Sequence, residues 1–106
     1  MVSESILGEV VRRLVEGFHP QRIILFGSQA RGTADERSDV DLLVIAPIKG
    51  RRSDLWFEMD QSLVGLGLAR DIVVMTPEQF EEDKEIPGTI ARPAWREGKV
   101  LYDSGE

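Results

Sequence analysis

Apolar positions fall at helical spacing near the start of the chain. Ile6, Leu7, Val10, Val11, Leu14 and Val15 share one side of a helix over residues 4–17, and Glu9, Arg12, Arg13 and Glu16 take the other. Gly17 and then His19-Pro20 supply stop signals. The period then changes. Residues 22–26, Arg-Ile-Ile-Leu-Phe, predict a short buried strand that ends at Gly27. Ser28 to Gly32 has room for one or two helical turns, with Ser28 as the N-cap and Gly32 as the C-terminal cap. Thr33 to Ser38 is polar and reads as a loop. Residues 39–46, Asp-Val-Asp-Leu-Leu-Val-Ile-Ala, predict a second strand closed by Pro47.

Lys49 to Arg52 is a basic turn. Ser53 is suited to cap a helix with Leu55, Trp56, Met59, Leu63 and Leu66 on one face, stopping near Gly65 or Gly67. Residues 71–75, Asp-Ile-Val-Val-Met, are a third strand. Thr76-Pro77-Glu78-Gln79 joins a capping-box pattern to a proline at the first helical position, which predicts a short helix to about Glu85. Pro87-Gly88 breaks the chain. A further helix runs up to Gly98, with its start blurred by Pro93, and Lys99 to Tyr102 reads as an edge strand.

Connection lengths constrain the sheet. The first two strands are joined by a short, mostly irregular link, which suits an antiparallel pair. The second and third are separated by a full helix, which suits a parallel crossover. The expected fold class is therefore α/β in the α+β sense: a small mixed sheet flanked by helices. In such a sheet the end of the first strand and the starts of the second and third meet at the same edge. Gly27-Ser28, Asp39, Asp41 and Asp71 occupy those places.

That convergence carries chemistry. Asp39 and Asp41 are two apart on a strand, so their side chains share a face, roughly 7 Å apart at the backbone. Two carboxylates so close repel each other and, at the start of an apolar strand, are poorly solvated. A divalent cation relieves both, and oxygen donors suit magnesium, which also accepts substrate phosphates. With Asp71 as a third acid, the group can hold two ions about 3.5–4 Å apart, the spacing used for in-line phosphoryl or nucleotidyl displacement. Gly27-Ser28 is the matching anion site. Glycine lets a phosphate approach the backbone, the first turn of the following helix aims N–H groups at it, and the Ser28 hydroxyl adds a donor. Each piece alone is common in proteins of other function; it is the combination at this spacing that is improbable by chance.

Composition narrows the classes. The chain has 106 residues, 42% apolar and 30% charged, the make-up of one folded domain, 1–106. There is no cysteine, so disulfides and thiolate zinc sites are excluded and a cytoplasmic setting is expected. No apolar run approaches the roughly 20 residues of a membrane span, and Met1 to Gly8 lacks the pattern of a secretory signal. The net charge of −6 repels a phosphate backbone, so no direct nucleic-acid binding is expected.

The run Leu25-Phe26-Gly27-Ser28-Gln29-Ala30-Arg31-Gly32 through Ser38-Asp39-Val40-Asp41-Leu42-Leu43-Val44 resembles the signature of the DNA polymerase β-like nucleotidyltransferase superfamily. Within it the chain is most similar to the minimal nucleotidyltransferases, the antitoxin-type partners of HEPN ribonuclease toxins. The likeness is strong over residues 21–75. It implies a polymerase β-like nucleotidyltransferase fold. It also implies that Gly27 and Ser28 contact the triphosphate, that Asp39 and Asp41 bind both magnesium ions, and that Asp71 is the third ligand and helps activate an acceptor hydroxyl. Larger relatives carry an extra domain that helps hold the base or the acceptor. Here the acceptor pocket is expected from a partner or from a second copy in a homo-oligomer.

The expected activity is transfer of a nucleoside monophosphate, AMP from ATP, to a hydroxyl on a partner protein. The resemblance suggests a tyrosine of a HEPN toxin as acceptor and an antitoxin role. One competing reading is a non-catalytic antitoxin that neutralises its partner by contact. Another is a small-molecule nucleotidyltransferase, which the small size disfavours. Other residues carry less. Arg31 either reaches a phosphate or pairs with an acid that supports the loop, and Arg37 is similarly placed. His19 reads as a solvated turn residue, Arg51-Arg52 as a solvated turn and Glu81-Glu82-Asp83 as a solvated helix face. Trp56 and Trp95 read as packing residues that become interface anchors if exposed.

Overall fold

The computed structural model describes residues 2–35 and 38–105. Nine elements follow in order: α1 (Glu4–Phe18), β1 (Arg22–Phe26), α2 (Ser28–Arg31), β2 (Val40–Ile45), α3 (Arg52–Ser62), β3 (Arg70–Met75), α4 (Pro77–Asp83), α5 (Ala91–Glu97) and β4 (Lys99–Asp103). The strands form one mixed sheet in the order β3-β2-β1-β4. β1 is antiparallel to β2 and β2 is parallel to β3, as the connection lengths predicted, and the edge strand β4 lies antiparallel to β1.

Strand alternation divides the core in two. Val40, Leu42 and Val44 point to one face with Ile72 and Val74, and there they meet Val10 and Leu14 of α1 and Met59 of α3. Leu43, Ile45 and Met75 point to the other face and meet Phe80 of α4 with Ala91 and Ala94 of α5. β2 is thus buried on both sides, which explains its nearly unbroken apolar run.

Helix boundaries differ from the sequence expectation in instructive ways. α1 is capped by Ser3, whose Oγ accepts from Ile6 N at 3.2 Å. It runs through Gly17 to Phe18, and His19 ends it in the left-handed conformation, exposed to solvent, its N–H donating to Val15 O at 3.0 Å. Ser28 is the first residue of α2 and not its cap; Gly27 takes the cap position with φ 74°. α3 starts two residues earlier than a Ser53 cap requires, since Arg51 is the N-cap and offers no side-chain bond. It stops at Ser62, before Gly65, because Leu63 turns back as a C-cap and buries itself in the core.

α4 begins as expected, with Thr76 Oγ1 accepting from Gln79 N at 3.1 Å and Pro77 in the first turn. Gln79 does not complete the reciprocal box, because its Oε1 accepts from Arg52 Nη2 at 2.9 Å. Its helix ends at Asp83, two residues short of the expected limit. Pro93 lies in the first turn of α5, where its missing N–H costs no helical bond. No helix among the described residues is long and apolar enough to cross a membrane.

Candidate active site

The site is built where three strand ends meet. Phe26 at the end of β1 pairs with Asp41 of β2, and Asp41 pairs with Asp71 of β3. Parallel register places Asp41 and Asp71 side by side, and alternation puts both on the face that carries Leu43, Ile45 and Met75. That face is only partly covered. α4 and α5 pack over Ile45 and Met75, while Asp39 and Asp71 remain exposed and Phe26 and Val73 are half-buried. The acids therefore occupy the open half of a face whose other half is core.

Asp41 is the most constrained of the three. Its carboxyl pKa is raised above the ordinary aspartate value, first by burial, then by the negative charges of Asp71 and Asp39. Arg31 acts in the opposite direction. Asp41 thus feels both neighbouring charges and is held in partly dry surroundings. Among the described residues no three acidic or imidazole side chains close into a ready cation cage. Magnesium does not require one, because it keeps several waters and takes substrate phosphate oxygens as ligands.

Gly27 is packed against this acid. Its φ of 74° lies in the region that side chains rarely adopt, and a Cβ built there would collide with Asp41 Oδ2. Glycine is required for two reasons at once, backbone conformation and the close approach of a carboxylate. The Gly27 carbonyl accepts from Ala30 N and Arg31 N, both at 3.1 Å, which closes the turn of α2. That turn leaves the N–H groups of Ser28 and Gln29 outside its own bonding, at the end nearest Asp41.

The remaining candidates fall as follows. Arg31 Nη1 lies 3.8 Å from Glu97 Oε2, with both side chains about half exposed, so the ion pair is loose and the guanidinium stays near the acids. Arg37 lies outside the described residues. Trp56 and Trp95 are both partly exposed. Trp95 stands edge-on to Phe80 with ring centroids 6.0 Å apart, and Lys84 Nζ sits 4.4 Å from its centroid.

Gln29 was missed by sequence reasoning. It is the buried polar residue of the core, 3% exposed. Its Oε1 accepts from Val2 N at 3.1 Å and its Nε2 donates to Ser38 O at 3.3 Å. Ser38 immediately precedes Asp39, so this amide ties the loop carrying the first acid to the helix that follows Gly27. Ser38 is held a second time by Asp35, through Ser38 N to Asp35 O at 3.2 Å and Asp35 N to Ser38 Oγ at 3.1 Å. The only signal in the sequence was an amide inside an otherwise small-residue turn.

A mixed sheet with a glycine turn packed on a strand acid, and a second acid in register beside it, is the arrangement of a nucleotidyltransferase. The nucleotidyltransferase domain model matches residues 5–93, and the chain belongs to that family. Over 107 aligned positions it is 32% identical to a Methanocaldococcus jannaschii protein named "putative protein adenylyltransferase", covering 96% of this chain and all of the relative. Two solved structures share the fold. A "putative nucleotidyltransferase" from Sulfolobus solfataricus superposes with a TM-score of 0.65 at 20% identity, over 94% of this chain and 79% of the other. A toxin–antitoxin structure with AMP-PNP superposes with a TM-score of 0.67 at 23% identity, over 93% and 74%.

Proposed function

We propose that this nucleotidyltransferase moves AMP from ATP, with magnesium, onto a hydroxyl of a partner protein, and that the partner is a HEPN-type toxin which the modification silences. The observation that carries the reading is the packing of the Gly27 turn onto Asp41 with Asp71 in register beside it. It brings the Gly27 turn against one carboxylate with a second in register beside it, which supports a phosphate and its cation being held there. The name of the archaeal relative and the AMP-PNP-bound toxin–antitoxin neighbour support protein adenylylation in that setting.

The residues suit a divalent cation. All three donors are carboxylates, and Asp41 is held where its charge is disfavoured until a cation offsets it. The chemistry supplied there is neutralisation of the triphosphate and a lowered pKa for the attacking hydroxyl. Asp39, immediately before β2, and Asp41 within it would provide the ligand oxygens. The Ser28 hydroxyl and the N–H groups of the α2 turn hold the phosphates. Asp71 orients the acceptor hydroxyl and draws its proton. A new bond forms between the acceptor oxygen and the α-phosphorus, the bond to the bridging oxygen breaks, and pyrophosphate leaves.

The test is incubation of the chain with α-labelled ATP, magnesium and a candidate HEPN-domain partner. The expected result is label on the partner, lost with Asp39→Ala plus Asp41→Ala. Equal labelling by the double variant overturns the assignment. Protection of cells by the double variant supports neutralisation by contact.

A further inference from the structure

β3 is an edge strand, and its outer side is not bare. Three side-chain bonds tie it and the start of α4 to α3. Arg52 Nη2 donates to Gln79 Oε1 at 2.9 Å, Trp56 Nε1 donates to Ile72 O at 2.9 Å, and Arg70 Nε donates to Asp60 Oδ1 at 2.9 Å. Between them runs a groove of about 500 Å³, floored by Ile72, Val73 and Val74 and walled by Arg52, Ser53 and Trp56. Its floor is apolar, and Trp56 is 41% exposed over it. Val73 is half-buried and shares its sheet face with Asp71, two residues away and roughly 7 Å along the strand. The groove therefore leads along β3 to the third acid of the site.

The charges at its two ends differ. At the Asp71 end, Arg70 is fully engaged, with Asp60 Oδ1, Asp60 O and Leu68 O as acceptors. At the far end, Arg52 meets a neutral amide, and Lys49 and Arg51 lie just before it in the chain, outside the groove's lining; all three are exposed. None of these three forms an ion pair among the described residues. At about 100° per residue, Asp54 and Glu58 fall on the side of α3 away from Arg52 and Trp56. In a chain of net charge −6, this is a concentration of cations at one end of an apolar channel.

We infer that this groove seats the acceptor protein through an extended acidic segment, lying along the outer side of β3. Its acidic side chains meet Lys49, Arg51 and Arg52, an aromatic or aliphatic side chain rests on Trp56 and Val73, and its hydroxyl arrives at Asp71. Opposite charge steers and registers such a segment, and the indole supplies rigid apolar area at the centre. The inference rests on the adenylyl-transfer reading for its consequence but not for its geometry, so binding and transfer are separable.

The experiment measures fluorescence anisotropy of a labelled Glu-Asp-Tyr-Glu-Asp-Tyr-Glu peptide on the whole chain, against the same peptide with lysine at every acidic position. ATP binding is read on the same samples. The acidic peptide is expected to bind, the lysine peptide not, and Arg51→Ser plus Arg52→Ser to weaken binding by about tenfold with ATP binding unchanged, the size of two partly exposed ion pairs. Trp56→Phe, which keeps most of the ring area but not the bond to Ile72 O, gives a smaller loss. Equal binding of the two peptides, or no effect of the double arginine variant, overturns the inference. Failure of wild-type chain to bind ATP counts against the transfer reading alone, because the peptide arm is read without nucleotide and compares contact with the basic residues and Trp56.

Discussion

The two faces of the sheet are made from the same strands and have opposite fates. On the α1–α3 face, Val40, Leu42 and Val44 are at most 1% exposed and nothing polar interrupts them. On the α4–α5 face the alternate positions of β2 begin with Asp41, just after Asp39 ahead of the strand, and only then become Leu43 and Ile45. One side is closed by two helices along its length. The other is closed over half its length, and the open half holds the acids. The comparison teaches that the closed face and the covered half give rigidity, so the exposed carboxylates need not hold the fold together. They cost stability instead, because Asp41 is partly desolvated and then also faces the negative charges of Asp71 and Asp39.

The comparison breaks if the faces prove interchangeable under substitution. The largest effect expected is on the open face. Asp41→Asn should reduce nucleotidyl transfer by at least ~10²–10³-fold, the scale of losing a preorganised electrostatic group. Without metal it should raise the melting temperature at neutral pH. The sign follows from linkage. A carboxyl whose folded pKa is raised is less stabilising, or destabilising, once pH exceeds that pKa, so the wild-type deficit should shrink as pH falls through the carboxylate range. Melting scans of both proteins across pH check it. An unchanged or lower melting temperature for the variant would contradict the account of a carboxylate penalised by burial and by neighbouring charge.

On the closed face the order reverses. Leu42→Ala should cost about 2–5 kcal/mol by cavity formation and leave the residual folded protein active per mole. Denaturant titration with an active-site count separates the two. Gln29→Leu should cost about 1–3 kcal/mol, because Ser38 O and Val2 N lose their buried partner. It should also raise the magnesium concentration needed for half-maximal rate, which a merely structural defect does not. Thr76→Ala, far from the acids, should cost about 1 kcal/mol through the lost cap and leave transfer kinetics alone.

How far the sequence could be read follows the same division. Strands declared themselves through apolar and β-branched runs, and the crossover lengths gave their directions. The meeting of Asp41 and Asp71 at one sheet edge was legible because strand alternation and strand order fix a face without knowledge of any contact. Gln29 was not, because its two partners lie 27 and 9 residues away and an amide carries no period. The limits of α3 were not legible either. Ser53 is a good cap by type, but the helix is set by what it packs against. Met59 is its one buried residue, and Arg52, Trp56 and Asp60 bond outward to α4 and β3.

Arg70 has a role that its bonds to Asp60 and Leu68 make inevitable. β3 is apolar on both sides after its first two residues, so hydrophobic burial alone says little about which way it is threaded. Shifted by one position, Arg70 would stand beside Asp41 in place of Asp71. The mis-threaded chain would hold an internal counter-ion where a substrate complex belongs, and it would be content and inert. By claiming Arg70 for α3, the fold withholds that easy neutralisation and keeps the acids hungry for an outside charge.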